Sequence, residues 1–258
     1  MKDASPLIAI FGDVHGALDA MYRLTAQWER KRAPVALILQ TGDMGIFPGD
    51  VDKATRRHAE ADPTELGAKD YVDGVKSPER TTVFIRGNHE DHGWLARYPG
   101  GGAIDPSGLL HYLTGLRVYT VDVGGVGVTI AGLGGIAPRG RRNTEERNPG
   151  GAFDPAELDA LLALEPGSVD ILLTHDSPRG FGLRGNADTG ADEITILIEH
   201  LQPRFAFWGH YGHPPDPFPL GRTQCFPMTA ENALRLPRRD GAMGILRPSD
   251  WSFDYVGR

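Results

Sequence analysis

The chain has 258 residues, 40% hydrophobic and 24% charged, with a formal net charge of −7. Its one cysteine, Cys225, excludes an internal disulfide framework and a multi-cysteine zinc site. The acidic balance argues against a constitutive binder of nucleic-acid backbone, which wants a basic face, but not against a metal enzyme with clustered carboxylates.

Leu7–Phe11 is a short apolar run that predicts a buried strand. It is far too short for a signal sequence or a membrane span of about 20 residues, so a cytoplasmic setting is expected. Residues 17–32 follow, with Leu18, Met21, Tyr22, Thr25 and Trp28 on one helical stripe, and then the apolar run Val35–Gln40. This strand–helix–strand order predicts a parallel start to the sheet. Residues 45–78 are polar and Asp-rich and read as an insertion over the site. Residues 82–86 form the next predicted strand, and Glu90 and Asp91 are candidates for capping a helix after it. Residues 118–123 and Val126–Leu133 flank Gly124-Gly125 as a hairpin. Asp154-Pro155 opens a helix through 156–164, with a carboxylate N-cap and proline at N1. A strand over 169–174, a helix over Asp192–Leu201 closed by Pro203, a strand over 204–208 and two late strands, 244–247 and 251–256, complete the set. No repeat or linker divides the chain, so residues 1–258 are expected to form a single domain.

Five of these strands end in Asp, Asn and His. The clusters are Asp13-Val14-His15, Gly42-Asp43, Gly87-Asn88-His89-Glu90, His175-Asp176 and Gly209-His210-Tyr211-Gly212-His213. In open α/β sheets the carboxyl ends of the strands form the ligand crevice, which would bring the clusters to one place. Carboxylate, amide carbonyl and imidazole without thiolate suit Mn, Fe, Zn, Ni or Co. Asp13, His15, Asp43, Asn88, His175, His210 and His213 make about seven ligands, too many for one tetrahedral ion and suited to two that share a carboxylate.

The order DxH, GD, GNHE, H, GHxH resembles the calcineurin-like metallophosphoesterase superfamily over residues 7–213. The resemblance implies an α/β two-sheet sandwich, layered α-β-β-α, with its metal site at the strand ends. It implies that Asp13 and His15 bind one divalent ion, that Asp43 bridges, and that Asn88, His175 and His210 bind the second. His89 is implied to be the general acid or a phosphate contact. The closing motif is one residue longer than GHxH. His213 either reaches the first ion through a bulged loop or points to solvent with a water in its place. Gly42-Asp43 lacks the GDxVDRG continuation of PPP-type Ser/Thr phosphatases, whereas residues 132–136 and 173–180 look more like the RNA lariat debranching branch. That branch commonly carries Cys where Asp13 stands here.

The resemblance therefore implies a metal-dependent phosphoric ester hydrolase working by metal-hydroxide attack, with diesters slightly preferred. A phosphomonoesterase or protein phosphatase is the alternative within enzymes, and a non-catalytic metal-binding scaffold the alternative outside them. Arg139, Arg142 and Arg179 are candidate substrate contacts, because guanidinium matches phosphate bidentately. A nucleotide or nucleic acid is a candidate partner, a membrane is not, and the oligomeric state is left open.

Overall fold

A computed structural model describes residues 5–48, 67–138, 150–212, 215–229 and 241–257. The amino-terminal half runs β1 (Leu7–Phe11), α1 (Leu18–Glu29), β2 (Val35–Gln40), α2 (Lys69–Val72), β3 (Thr82–Phe84), α3 (His92–Leu95), β4 (Gly102–Ala103) and β5 (Leu110–Tyr112). A hairpin of β6 (Tyr119–Val123) and β7 (Val126–Leu133) leads to α4 (Pro155–Leu162), β8 (Ile171–Thr174), α5 (Asp192–Leu201) and β9 (Phe205–Trp208). The chain ends in β10 (Phe218–Leu220), β11 (Thr223–Pro227), β12 (Met243–Arg247) and β13 (Ser252–Tyr255).

The strands form two sheets, ordered β13-β12-β1-β2-β3-β5-β4 and β10-β11-β9-β8-β7-β6. Side-chain alternation decides how they stack. Leu7, Ala9 and Phe11 of β1 face outward and pack with Leu18, Met21 and Tyr22 of α1. Ile8 and Ile10, with Leu37, Leu39 and Val83, face inward onto Val128, Ile130, Ile171, Leu173, Phe205 and Phe207 of the second sheet. The outer face of that sheet, Ala131, Leu133, Leu172, Ala206 and Trp208, is covered by Leu161 of α4 and by Ile194, Leu197, Ile198 and Leu201 of α5. The layers are therefore α-β-β-α, and β1 and β2 run parallel as the strand–helix–strand order implies.

The local signals act as expected. Asp154 caps α4 by accepting the Ala156 N–H at 2.8 Å, with Pro155 in the first turn. α5 stops at Gln202, left-handed at φ 45°, just before Pro203. β3 is shorter than 82–86, because after Phe84 the chain turns into the loop that carries Asn88. Four strands, β4, β5, β10 and β11, were not expected from sequence. Of the segment 45–78, residues 49–66 lie outside the described ones. Residues 67–78 hold α2, where the Tyr71 hydroxyl donates to Asp19 of α1 at 2.7 Å. Among the described residues, no helix is long and apolar enough to cross a membrane.

Candidate metal centre

Asp13, Asp43, Asn88, His175 and His210 each follow the carboxyl end of a strand, β1, β2, β3, β8 and β9 respectively. Within each sheet these strands are parallel neighbours, so their ends emerge together. Side-chain contacts join the ends of one sheet to those of the other. The His210 N–H donates to Asp13 Oδ1 at 3.0 Å, and His175 Nδ1 lies 2.9 Å from the Thr41 carbonyl. That carbonyl can only accept, so Nδ1 carries the hydrogen and Nε2 turns inward.

Among the described residues two groups of potential ligands result, Asp13 with His15 and Asp43, and Asp43 with His175 and His210. In each, the ligand atoms lie within 4.8 Å of one another. Asp43 belongs to both through different oxygens. Its Oδ2 lies 3.7 Å from His15 Nε2, and its Oδ1 lies 3.4 Å from His175 Nε2. Asp13 Oδ2 is 3.8 Å from the same His15 nitrogen, and Asn88 Oδ1 is 3.0 Å from His175 Nε2. His89 stands beside the first group, its ring 5.2 Å from that of His15 and edge-on to it.

The backbone is bent to achieve this. His15, Asp43 and His210 are left-handed, at φ 45°, 55° and 66°. A non-glycine residue there costs roughly 1–3 kcal/mol and persists only where its surroundings hold it. The Val14 and His15 N–H groups donate to the Asp43 carbonyl at 3.1 and 2.8 Å, and the His89 N–H donates to Asp43 Oδ1 at 2.7 Å. Close packing explains two glycines of the motifs. A Cβ on Gly87 would collide with the backbone nitrogen and carboxylate of Asp43, and one on Gly209 with the carboxylate of Asp13.

The electrostatics of the cluster are those of closely packed, buried carboxylates and imidazoles. Burial pushes Asp13 up to about 6, with the Asp43 charge adding to it against His175 and His15. Burial also opposes ionisation of Asp43, yet the neighbouring imidazoles, His175 first, hold it well below the usual carboxylate range. Against its own burial, His175 is raised to about 9 by Asp43 and then Asp13. The buried carboxylates thus draw positive charge, and a proton on His175 supplies it. The hard oxygens and imidazole nitrogens fit a divalent cation in that role.

Asp13, His15, Asp43, Asn88, His175 and His210 are brought together, with His89 adjacent. His213, Arg139 and Arg142 lie outside the described residues. Arg179 is half-exposed, in an ion pair with Asp188 at 3.5 Å.

Sequence reasoning missed the supports. Asp91 does cap α3, accepting the Trp94 N–H at 2.9 Å, but Glu90 does not cap it. The Glu90 carboxylate turns back to accept the Met44 N–H at 2.8 Å and the Ile46 N–H at 2.6 Å, tying the Asn88 loop to the Asp43 loop. Burial and then the Asp43 charge raise Glu90 to about 8, against those N–H donors. Tyr211 locks the turn after His210, donating its hydroxyl to Asp176 at 2.6 Å and accepting the Gly190 N–H at 3.1 Å. The GNHE pattern marked Glu90, but no sequence signal marked its backbone partners.

A family model described as calcineurin-like phosphoesterase matches residues 6–214. Among curated relatives, lariat debranching enzymes of Danio rerio and Homo sapiens are each 28% identical, over 79% of this chain. The chain spans 39% and 41% of their respective lengths, about two-fifths in each case. The lariat debranching enzyme of Entamoeba histolytica is 24% identical, over 79% of this chain and 63% of its own length. Solved structures share the fold. TT1561 of Thermus thermophilus superposes with a TM-score of 0.59 at 15% identity, covering 98% of this chain and 99% of its own. A dimetal phosphatase from Danio rerio gives a TM-score of 0.55 at 14% identity, covering 94% and 92%.

Proposed function

This chain belongs to the calcineurin-like phosphoesterase family, and from that premise we propose that it hydrolyses phosphate esters at a centre of two divalent cations. Asp13 and His15 would hold one ion, Asn88, His175 and His210 the other, and Asp43 both. The observation that carries the reading is the division of Asp43, one oxygen toward His15 and the other toward His175. The full set of ligands with His89 favours an enzyme over a binding scaffold.

When bound, the cations supply the charge that activates water and offsets charge gathering on the phosphate oxygens. The residues do the rest. Thr41 fixes the His175 tautomer, and Asp43 pins the His89 backbone. The His89 imidazolium gives its proton to the leaving oxygen as the P–O bond breaks, a contribution of roughly 10²–10⁴-fold. The lariat debranching relatives favour a diester, and a branched RNA is the candidate nucleic-acid substrate. Arg179, Arg139 and Arg142 are assigned to the substrate phosphates, and His213 to the first ion.

The test is removal of metal by chelation, followed by add-back of Mn²⁺, Fe²⁺, Zn²⁺, Ni²⁺ or Co²⁺ singly. Each preparation is assayed on bis(p-nitrophenyl) phosphate, p-nitrophenyl phosphate and a branched oligoribonucleotide. The expected result is about two ions per chain, no activity without them, and diesters cleaved at least as well as the monoester. Full activity after chelation, or a monoester cleaved with no diester turnover, would overturn it.

A further inference from the structure

His175 and His210 follow neighbouring strands, β8 and β9, but the backbone pairing of those strands ends at Leu173 and Phe207, short of both histidines. A side-chain hydrogen bond crosses the gap beyond it. The residue after His175 is Asp176, the residue after His210 is Tyr211, and the Tyr211 hydroxyl donates to Asp176 Oδ1 at 2.6 Å. Asp176 is fully buried and Tyr211 nearly so, so water does not compete for the bond. The two imidazoles stand with ring centroids 5.1 Å apart.

Both ends of this bond are fixed. Asp176 Oδ1 also accepts the Ser177 N–H at 2.9 Å, and Oδ2 accepts the Ala137 N–H, beyond the end of β7, at 3.0 Å. The Tyr211 hydroxyl in turn accepts the Gly190 N–H at 3.1 Å. The Tyr211 ring fills the space beside Gly182, where a Cβ would lie 2.4 Å from its Cζ. It meets the His210 ring edge-on at 4.7 Å. His210 needs such support, because it is left-handed at φ 66° and keeps that backbone only where its surroundings hold it. His15, on the side of the other ion, is held separately by the Asp43 carbonyl.

We propose that Tyr211 is a positioning residue: through Asp176 it sets the spacing of His175 and His210, and so the affinity of the second ion. The inference rests on the two-ion reading and goes beyond it by separating the two positions. Loosening Tyr211 weakens the ion at Asn88, His175 and His210 and spares the one at Asp13 and His15.

Calorimetric titration of Mn²⁺ into the chelated protein tests it. Asn88→Ala and His15→Ala identify which equivalent belongs to which position. Tyr211→Phe removes the hydroxyl and keeps the ring. It should weaken the equivalent that Asn88→Ala weakens by roughly 10–100-fold, with the other retained. Gly182→Ala leaves Tyr211 and Asp176 chemically intact and presses its Cβ on the Tyr211 ring, so it should produce the same selective loss. Ile245→Val, a buried deletion in β12 of the other sheet, controls for lost stability and should spare both equivalents. An equal fall at both equivalents in Tyr211→Phe and Gly182→Ala, or no fall at either, would overturn the proposal and leave the two-ion reading standing. Hydrolysis of bis(p-nitrophenyl) phosphate is measured on the metal-loaded protein in parallel. Selective loss in the variants with no hydrolysis by wild type removes the diesterase reading alone. A wild type that binds a single ion or none removes the two-ion reading and this inference with it.

Discussion

Replacing Glu90 by alanine should unlatch the two loops that carry Asp43 and Asn88. Glu90 is 2% exposed and accepts N–H groups from Met44 and Ile46, both fully buried, so no water replaces the lost acceptor. Each buried N–H left without a partner costs about 1–3 kcal/mol, so the pair costs about 2–6 kcal/mol. That is a large share of a typical total of roughly 5–15 kcal/mol. Glutamine keeps one carbonyl oxygen and orphans one N–H, so above roughly pH 8, where Glu90 is ionised, Glu90→Gln should cost about 1–3 kcal/mol. Urea unfolding in chelator measures both without bound metal contributing. Cation titration should then show weaker binding at both positions in the alanine variant, if Asp43 serves two ions as proposed. Stability of Glu90→Ala within about 0.5 kcal/mol of wild type, the ordinary range for a surface change, would refute the latch. A glutamine variant as unstable as the alanine one would refute the count of acceptors.

Other expectations follow from the same geometry. Asp43→Asn should lower metal content at both positions, whereas His89→Ala should keep it and lower turnover by roughly 10²–10⁴-fold; equal metal loss in the two, by elemental analysis, would contradict the roles. Gly209→Ala should cost about 1–3 kcal/mol and displace the Asp13 carboxylate, which its Cβ would strike; unfolding and cation titration at wild-type values would show the contact to be soft. Cys225 is fully buried, and burial pushes its thiol up to about 12. At roughly pH 8 a disulfide reagent should label it only after denaturation, and prompt labelling of the folded chain would place the thiol nearer the surface.

The sequence by itself determined the strands that matter and the chemistry at their ends. Leu7–Phe11 and Val35–Gln40 appear with the expected bounds, and Asp154-Pro155 starts its helix, because apolar runs, caps and proline act locally. The clusters at Asp13, Asp43, Asn88, His175 and His210 were legible because each stands just past a short apolar run that predicts a buried strand. Strands of two or three residues, such as β4 and β5, carry no period to detect, so only their partners in the sheet reveal them. Tertiary structure alone decided that Asp43 turns one oxygen to His15 and the other to His175, and that Glu90 clasps Met44 and Ile46. It alone paired Tyr211 with Asp176 and Arg86 with Glu157. The reason is physical: a residue's type fixes which atoms it can offer, but the partner of a buried donor or charge is chosen by which distant strand end arrives beside it.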